Sequence, residues 1–114
     1  MSLPPLPRAY IVGPYSNDDP LVILENVKRA AITAIWAAQR GYLPVLPHMM
    51  HTHHLSWDEA LDYCTHVIRG LDKDRDVVVL SPGWEGSKGS RKEVLLGQFL
   101  SLKIIEGGCD VAAL

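Results

Sequence analysis

DVVVLSPGWEGSKGSRKE, residues 76–93, is the stretch that decides the fold. Val77–Leu80 is the most strand-like run of the chain and reads as a central strand, buried on both faces. Small and polar residues follow, and then a helix is predicted over about 89–101, with Val94, Leu95, Phe99 and Leu102 as core contacts. Working outward, the same strand–loop–helix unit recurs twice toward the N-terminus. AYIVG (9–13) is an apolar run closed by glycine, and PYSNDDP is a loop of turn formers. Asp19–Pro20 supplies a capping side chain and a first-turn proline, opening a helix predicted over about 20–40. Its apolar face is read from Leu24, Val27, Ala31, Ala34, Ile35 and Ala38, and Gly41 is its stop. YLPVLP (42–47) is a second strand, placed at a sheet edge because Pro44 cannot donate to a ladder. Ser56 and Glu59 have capping-box spacing ahead of a second amphipathic helix marked by Trp57, Leu61, Cys64, Ile68 and Leu71. KIIEG (103–107) is a last short strand.

The order β-α-β-α-β-α-β predicts an α/β fold: a flavodoxin/Rossmann-like three-layer sandwich around a four- to five-stranded parallel sheet, with right-handed crossovers. A chain of 114 residues fits one domain, here 9–114, behind a proline-stiffened lead-in over 1–8. A net charge of −2 offers no basic field for nucleic acid or membrane. Cys64 and Cys109 match no metal spacing and read as free thiols. With no long apolar run and no signal-peptide pattern, the expected location is the cytoplasm.

In parallel sheets of this kind ligands bind beyond the carboxyl ends of the strands. The loops there are GPYSNDD, PHMMHTHH and SPGWEGSKGS. The last is no phosphate loop of the nucleotide-hydrolase type, because Lys88 follows a serine rather than the glycine that motif needs. Backbone N–H groups of Ser87–Ser90 near a helix start remain able to hold one phosphate. Ser90-Arg-Lys-Glu93 has the S-x-x-E spacing of a capping box, which by itself accounts for Glu93. The other reading is chemical. A carboxylate in the first turn faces the ligand crevice, and the helix dipole favours its anion, which suits a nucleophile. HTHH lacks a metal-ligand pattern, so no metal is expected; the loop reads as a lid, with His48 nearest the site. Tyr15 and Trp84 either stack on a base or sugar or pack their own loops. No G-x-S-x-G elbow supports serine hydrolysis.

YIVGPYS, GYLPVLPH and DVVVLSPGWEGSKGSRKE together, in this order and over roughly residues 9–106, resemble the nucleoside 2-deoxyribosyltransferase-like superfamily, in particular its small bacterial and phage branch. The superfamily includes 2′-deoxynucleoside 5′-phosphate N-hydrolases. The resemblance implies N-glycosidic chemistry on a nucleoside or nucleotide, by hydrolysis or transfer, without a cofactor. Its S-x-G-x-x-x-E pattern falls on Ser87, Gly89 and Glu93: the glutamate is implied as nucleophile, and the serine and glycine as lining for the sugar or 5′-phosphate. Its strand-end pattern falls on Tyr10, Gly13 and Pro14, followed by Tyr15 and Ser16, implied to hold the sugar and base. Asn26 and His48 match branch-specific positions. A homo-oligomer is implied as well. One departure stands out: the acidic residue that the superfamily carries about eight positions before the DVVV aspartate falls on Ile68, and Asp62 fits only with an insertion. A non-catalytic nucleotide-binding module on the same fold is therefore the alternative, followed by an accessory protein in which Glu93 is only a cap.

Overall fold

The computed structural model describes residues 5–49 and 56–108. Four parallel strands form one sheet: β1 (Arg8–Val12), β2 (Leu43–Val45), β3 (Val77–Leu80) and β4 (Lys103–Glu106), in the order β2-β1-β3-β4. Three helices connect them: α1 (Pro20–Ala38), α2 (Trp57–Arg69) and α3 (Lys88–Phe99). The chain steps from β1 to one side, then crosses back to the other, so strand order reverses between β1 and β3. This is the switch point where a crevice opens. Val77–Leu80 is buried along its whole length and paired on both sides, whereas β2, with Pro44, is an edge strand. The α/β sandwich expected from the element order is what the chain adopts.

The two faces of the sheet have separate cores. On one, Ala9, Ile11, Val77 and Val79 pack against Ala30, Ala34 and Ala37 of α1. On the other, Tyr10, Val12, Val78 and Leu80 pack against Ile68 of α2, Val94 of α3 and Leu102. The alternation along β1 and β3 thus divides each strand between two layers.

Ile68 of α2 is in the core as its spacing suggests, with Cys64 and Leu71 packed against it, but α1 and part of α3 meet the sheet on other faces. Asn26, Ala30, Thr33, Ala34 and Ala37 form the buried line of α1, while Leu24, Ile35 and Ala38 are exposed. The reason is closeness. A Cβ built at Gly107 would stand 2.7 Å from Thr33 Cγ2 and 2.6 Å from Val79 Cγ1, so small residues face the sheet and large aliphatics are turned outward. Val94 of α3 and Leu102 beyond its end are buried as expected, but Leu95 and Phe99 of α3 are 64% and 79% exposed. Gly97 occupies the contact instead, 3.4 Å from Val78 Cγ2 as measured to a built Cβ.

At the amino ends of the strands one carboxylate ties three segments together. Asp76 accepts from the backbone N–H groups of Arg8 and Asp72, both at 2.7 Å, and pairs with the Arg8 guanidinium at 2.8 Å. Burial opposes ionisation, yet these donors together hold Asp76 below the usual carboxylate range.

Candidate functional site

At the opposite end of the sheet, over the switch point, lies a cavity of about 460 Å³, within the range of small-molecule sites. Three loops contribute to its lining. The loop after β1 supplies Gly13–Asn17, the turn after β2 supplies Pro47 and His48, and the loop after β3 with the first turns of α3 supplies Gly86–Ser90 and Glu93. These are the three loops that parallel-sheet geometry singles out. Gly13, Pro14, Tyr15, Ser16, Asn26, His48, Ser87, Gly89 and Glu93 all line this one space.

Glu93 is not a cap. The N-cap of α3 is Ser87, whose hydroxyl accepts from Ser90 N–H at 3.2 Å, so the helix starts three residues before the S-x-x-E spacing suggests. Ser90 is already inside the helix, 1% exposed, and its Oγ has no hydrogen-bond partner. Glu93 consequently sits in the second turn, beyond the reach of first-turn dipole stabilisation. Its Oε2 is buried without a partner. Burial pushes its carboxyl up from an ordinary 4.5 to about 7, against a small opposing effect of the Tyr10 hydroxyl. The dipole-favoured anion expected from sequence is therefore corrected: at neutral pH the carboxyl is near its own midpoint.

The surroundings of Glu93 follow from helix geometry. Glu93 lies one helical turn after Gly89, and both residues line the cavity. A Cβ at Gly89 would meet nothing within 4 Å, so the cavity is open beside this residue. Tyr10 lies beneath rather than on the wall. It is fully buried in the sheet and sits against Glu93 and Cys64, and its hydroxyl is unpartnered. Burial first, and then the charge of Glu93, hold its phenol strongly in the protonated form.

His48 is fixed by the strand ends. Its Nε2 lies 3.0 Å from the Gly13 carbonyl and 3.1 Å from that of Pro14, and the edge of the Tyr15 ring meets its own, centroids 6.0 Å apart. Gly13 makes this possible, since a Cβ there would come within 3.0 Å of Ser81 Cβ and 3.7 Å of His48 Nε2. Asn26, 8% exposed on α1, donates from Nδ2 to the Tyr15 carbonyl at 3.2 Å and braces the same loop.

Trp84 does not join the site. It packs on the Tyr10–Val12–Leu80 core and borders a separate, smaller hollow, so its role is loop packing. Sequence reasoning also missed a wall: Trp57, Leu61 and Cys64 of α2 line the cavity. They lie on the stripe assigned to the core, and spacing alone does not tell a helix face over a sheet from one over a cavity. Lys88 and Lys92 stand 5.3 and 5.0 Å from the Trp57 ring and place positive charge near the mouth. Ile68, where an acidic partner was sought, is fully buried in the core. Asp62 is exposed beside His66 and is not part of the lining.

Among the described residues no cluster of His, Cys, Asp and Glu could hold a metal ion, and no helix is long and apolar enough to cross a membrane. His51, His53, His54 and Cys109 lie outside the described residues, as does the lid reading of HTHH. No curated protein matches the chain significantly. A family model matches residues 8–106, spanning every strand and helix above and every residue of the cavity wall, and the chain belongs to that family, described as Domain of unknown function (DUF4406).

Proposed function

We propose that the protein cleaves or transfers the N-glycosidic bond of a nucleoside or nucleoside 5′-monophosphate, with Glu93 as nucleophile. The observation that carries this reading is a buried carboxylate that caps nothing and leaves Oε2 unpartnered beside an open cavity. Such a group is costly to the fold, and perturbed carboxyls of this kind cluster where chemistry is done.

In this mechanism the ionised Glu93 oxygen bonds to C1′ as the C1′–N bond breaks and its electron pair leaves with the base, which takes up a proton. Water then attacks C1′ and frees the carboxylate, or the nitrogen of a second base does so and the reaction is a transfer. Tyr10, neutral and pressed against Glu93, is placed to orient the carboxylate. The N–H groups at the start of α3, with Ser87 and Lys88, suit the sugar or its 5′-phosphate. The chemistry asks for no metal and no cofactor. The same reading makes the protein a cytoplasmic homo-oligomer, dimer or tetramer, and Leu21, Leu24 and Ile35, exposed on α1, support the assembly. Analytical ultracentrifugation checks it.

The test is chromatography of free base released from ribo- and deoxynucleosides and their 5′-monophosphates. Release by wild type and none by Glu93→Ala is the expected result. Release that survives Glu93→Ala would remove the nucleophile from the scheme. A second reading, a nucleotide-binding module without turnover, is favoured by Ile68: no second carboxylate lines the cavity among the described residues. Its signature is a nucleotide that raises the melting temperature while no base appears.

A further inference from the structure

One wall of the cavity has a fixed hydrogen-bonding sense. His48 Nε2 faces two carbonyl oxygens, those of Gly13 and Pro14, at 3.0 and 3.1 Å. A bare nitrogen there would oppose two acceptors, so Nε2 carries the proton and donates to both. The ring cannot flip without losing these bonds, and the Tyr15 ring against it fixes its plane. Nδ1 is then left buried with no protein partner. Burial holds the imidazole below its ordinary pKa, against the opposing effect of the two carbonyls, and the neutral ring leaves Nδ1 as a lone-pair acceptor. Asn26, on the same wall, spends its Nδ2 on the Tyr15 carbonyl, so its amide oxygen adds a second acceptor. The first turn of α3, on another wall, offers N–H groups, the Ser87 hydroxyl and Lys88, with Glu93 one turn further along.

We infer that His48 is a specificity-determining residue whose Nδ1 accepts a hydrogen bond from a neutral donor on the ligand, a sugar hydroxyl or a base N–H, while the first turn of α3 faces the ligand's acceptor or anionic end. The inference rests on the nucleoside reading of the site. It gives that reading a direction: the ligand enters donor side toward His48. A buried acceptor left unmatched is penalised more than a matched one is rewarded, so discrimination falls on ligands that lack the donor.

Two measurements test this. Nitrogen chemical shifts of the free wild-type protein report which ring nitrogen of His48 is protonated, and the expected answer is Nε2. A proton on Nδ1 would overturn the inference and leave the glycosidase reading to its own assay. The second is calorimetric binding of nucleoside 5′-monophosphates that differ by one donor: without the 2′-hydroxyl, without the 3′-hydroxyl, or without the amino group of the base. Wild type should lose roughly ten- to a hundredfold in affinity for one of them, and which one identifies sugar or base as the source. His48→Gln keeps a donor for the Gly13 and Pro14 carbonyls but has no acceptor at the Nδ1 position, and should bind that pair within about twofold of each other. Equal binding of all analogues by wild type, or discrimination undiminished in His48→Gln, would overturn the proposal. Failure of every nucleoside and nucleotide to bind would overturn the nucleoside reading and this inference together, whatever the tautomer.

Discussion

Ser56-Trp-Asp-Glu59 and Ser90-Arg-Lys-Glu93 have the same spacing and opposite fates. In the first, Ser56 Oγ accepts from Glu59 N–H and the Glu59 carboxylate accepts from Ser56 N–H, both at 3.1 Å, in a complete capping box on the surface. In the second, the serine lies inside the helix, its hydroxyl is unpartnered, and the glutamate is buried over a cavity. What separates them is upstream. Ser87 closes the cap of α3 before Ser90 is reached, whereas the cap of α2 is Ser56 itself. A local motif is therefore decided by the register of the helix that contains it, and a glutamate released from capping is free for other work.

The comparison can be broken in several ways, taken here from the largest effect to the smallest. Glu93→Ala should abolish base release while the protein stays folded, whereas Glu59→Ala should leave release unchanged; chromatography beside a melting curve reads both. Turnover of wild type should rise with pH along a limb centred near 7, where Glu93 ionises, and a rate flat down to pH 5 would mean another group is the nucleophile.

Stability gives an inverted signature. The folded carboxyl of Glu93 holds its proton to about pH 7, and an unfolded one releases it near 4.5. The folded state thus binds more protons between these values, and stability declines as pH rises through them. Glu93→Gln should then stabilise by roughly 3 kcal/mol at pH 8, and the gain should shrink to about 1 kcal/mol at pH 5 and vanish below about pH 4. Urea denaturation at both pH values measures it, and a loss of stability at pH 8 would mean that Glu93 is structural after all. At the small end, Ser56→Ala and Ser87→Ala should each cost about 1 kcal/mol, and Ser90→Ala close to nothing, because only the first two hydroxyls hold a helix start.

The sheet was legible in the sequence because its signals are strong and local: the VVVL run, proline in the edge strand, glycine at strand ends, and Asp19–Pro20, whose carboxylate does accept from Leu21 N–H. Helix orientation was less so. Spacing finds an apolar stripe on α1, but the sheet selects Ala30, Thr33, Ala34 and Ala37 because the layers approach too closely for Leu24 and Ile35. Most of the cavity wall could be placed from its loops alone. Tyr10 was found but put on the wall instead of under it, and Trp57 and Cys64 were hidden in a stripe that looks like core. The state of Glu93 was beyond reach, since it depends on a helix that starts at Ser87 instead of Ser90 and on burial by distant segments.

The two ends of the sheet carry carboxylates of opposite character, and this bears on how the protein is best kept on the bench. Asp76, surrounded by donors, withdraws its stabilisation only when pH falls through its depressed pKa, whereas Glu93 begins to strain the fold once pH climbs above 4.5. Between them lies a mildly acidic window in which both are content. There the molecule should survive storage and heating longest, with the nucleophile proposed above protonated and silent. A purification carried out at that pH would yield the most durable protein, and an assay run in the same buffer would report it inert.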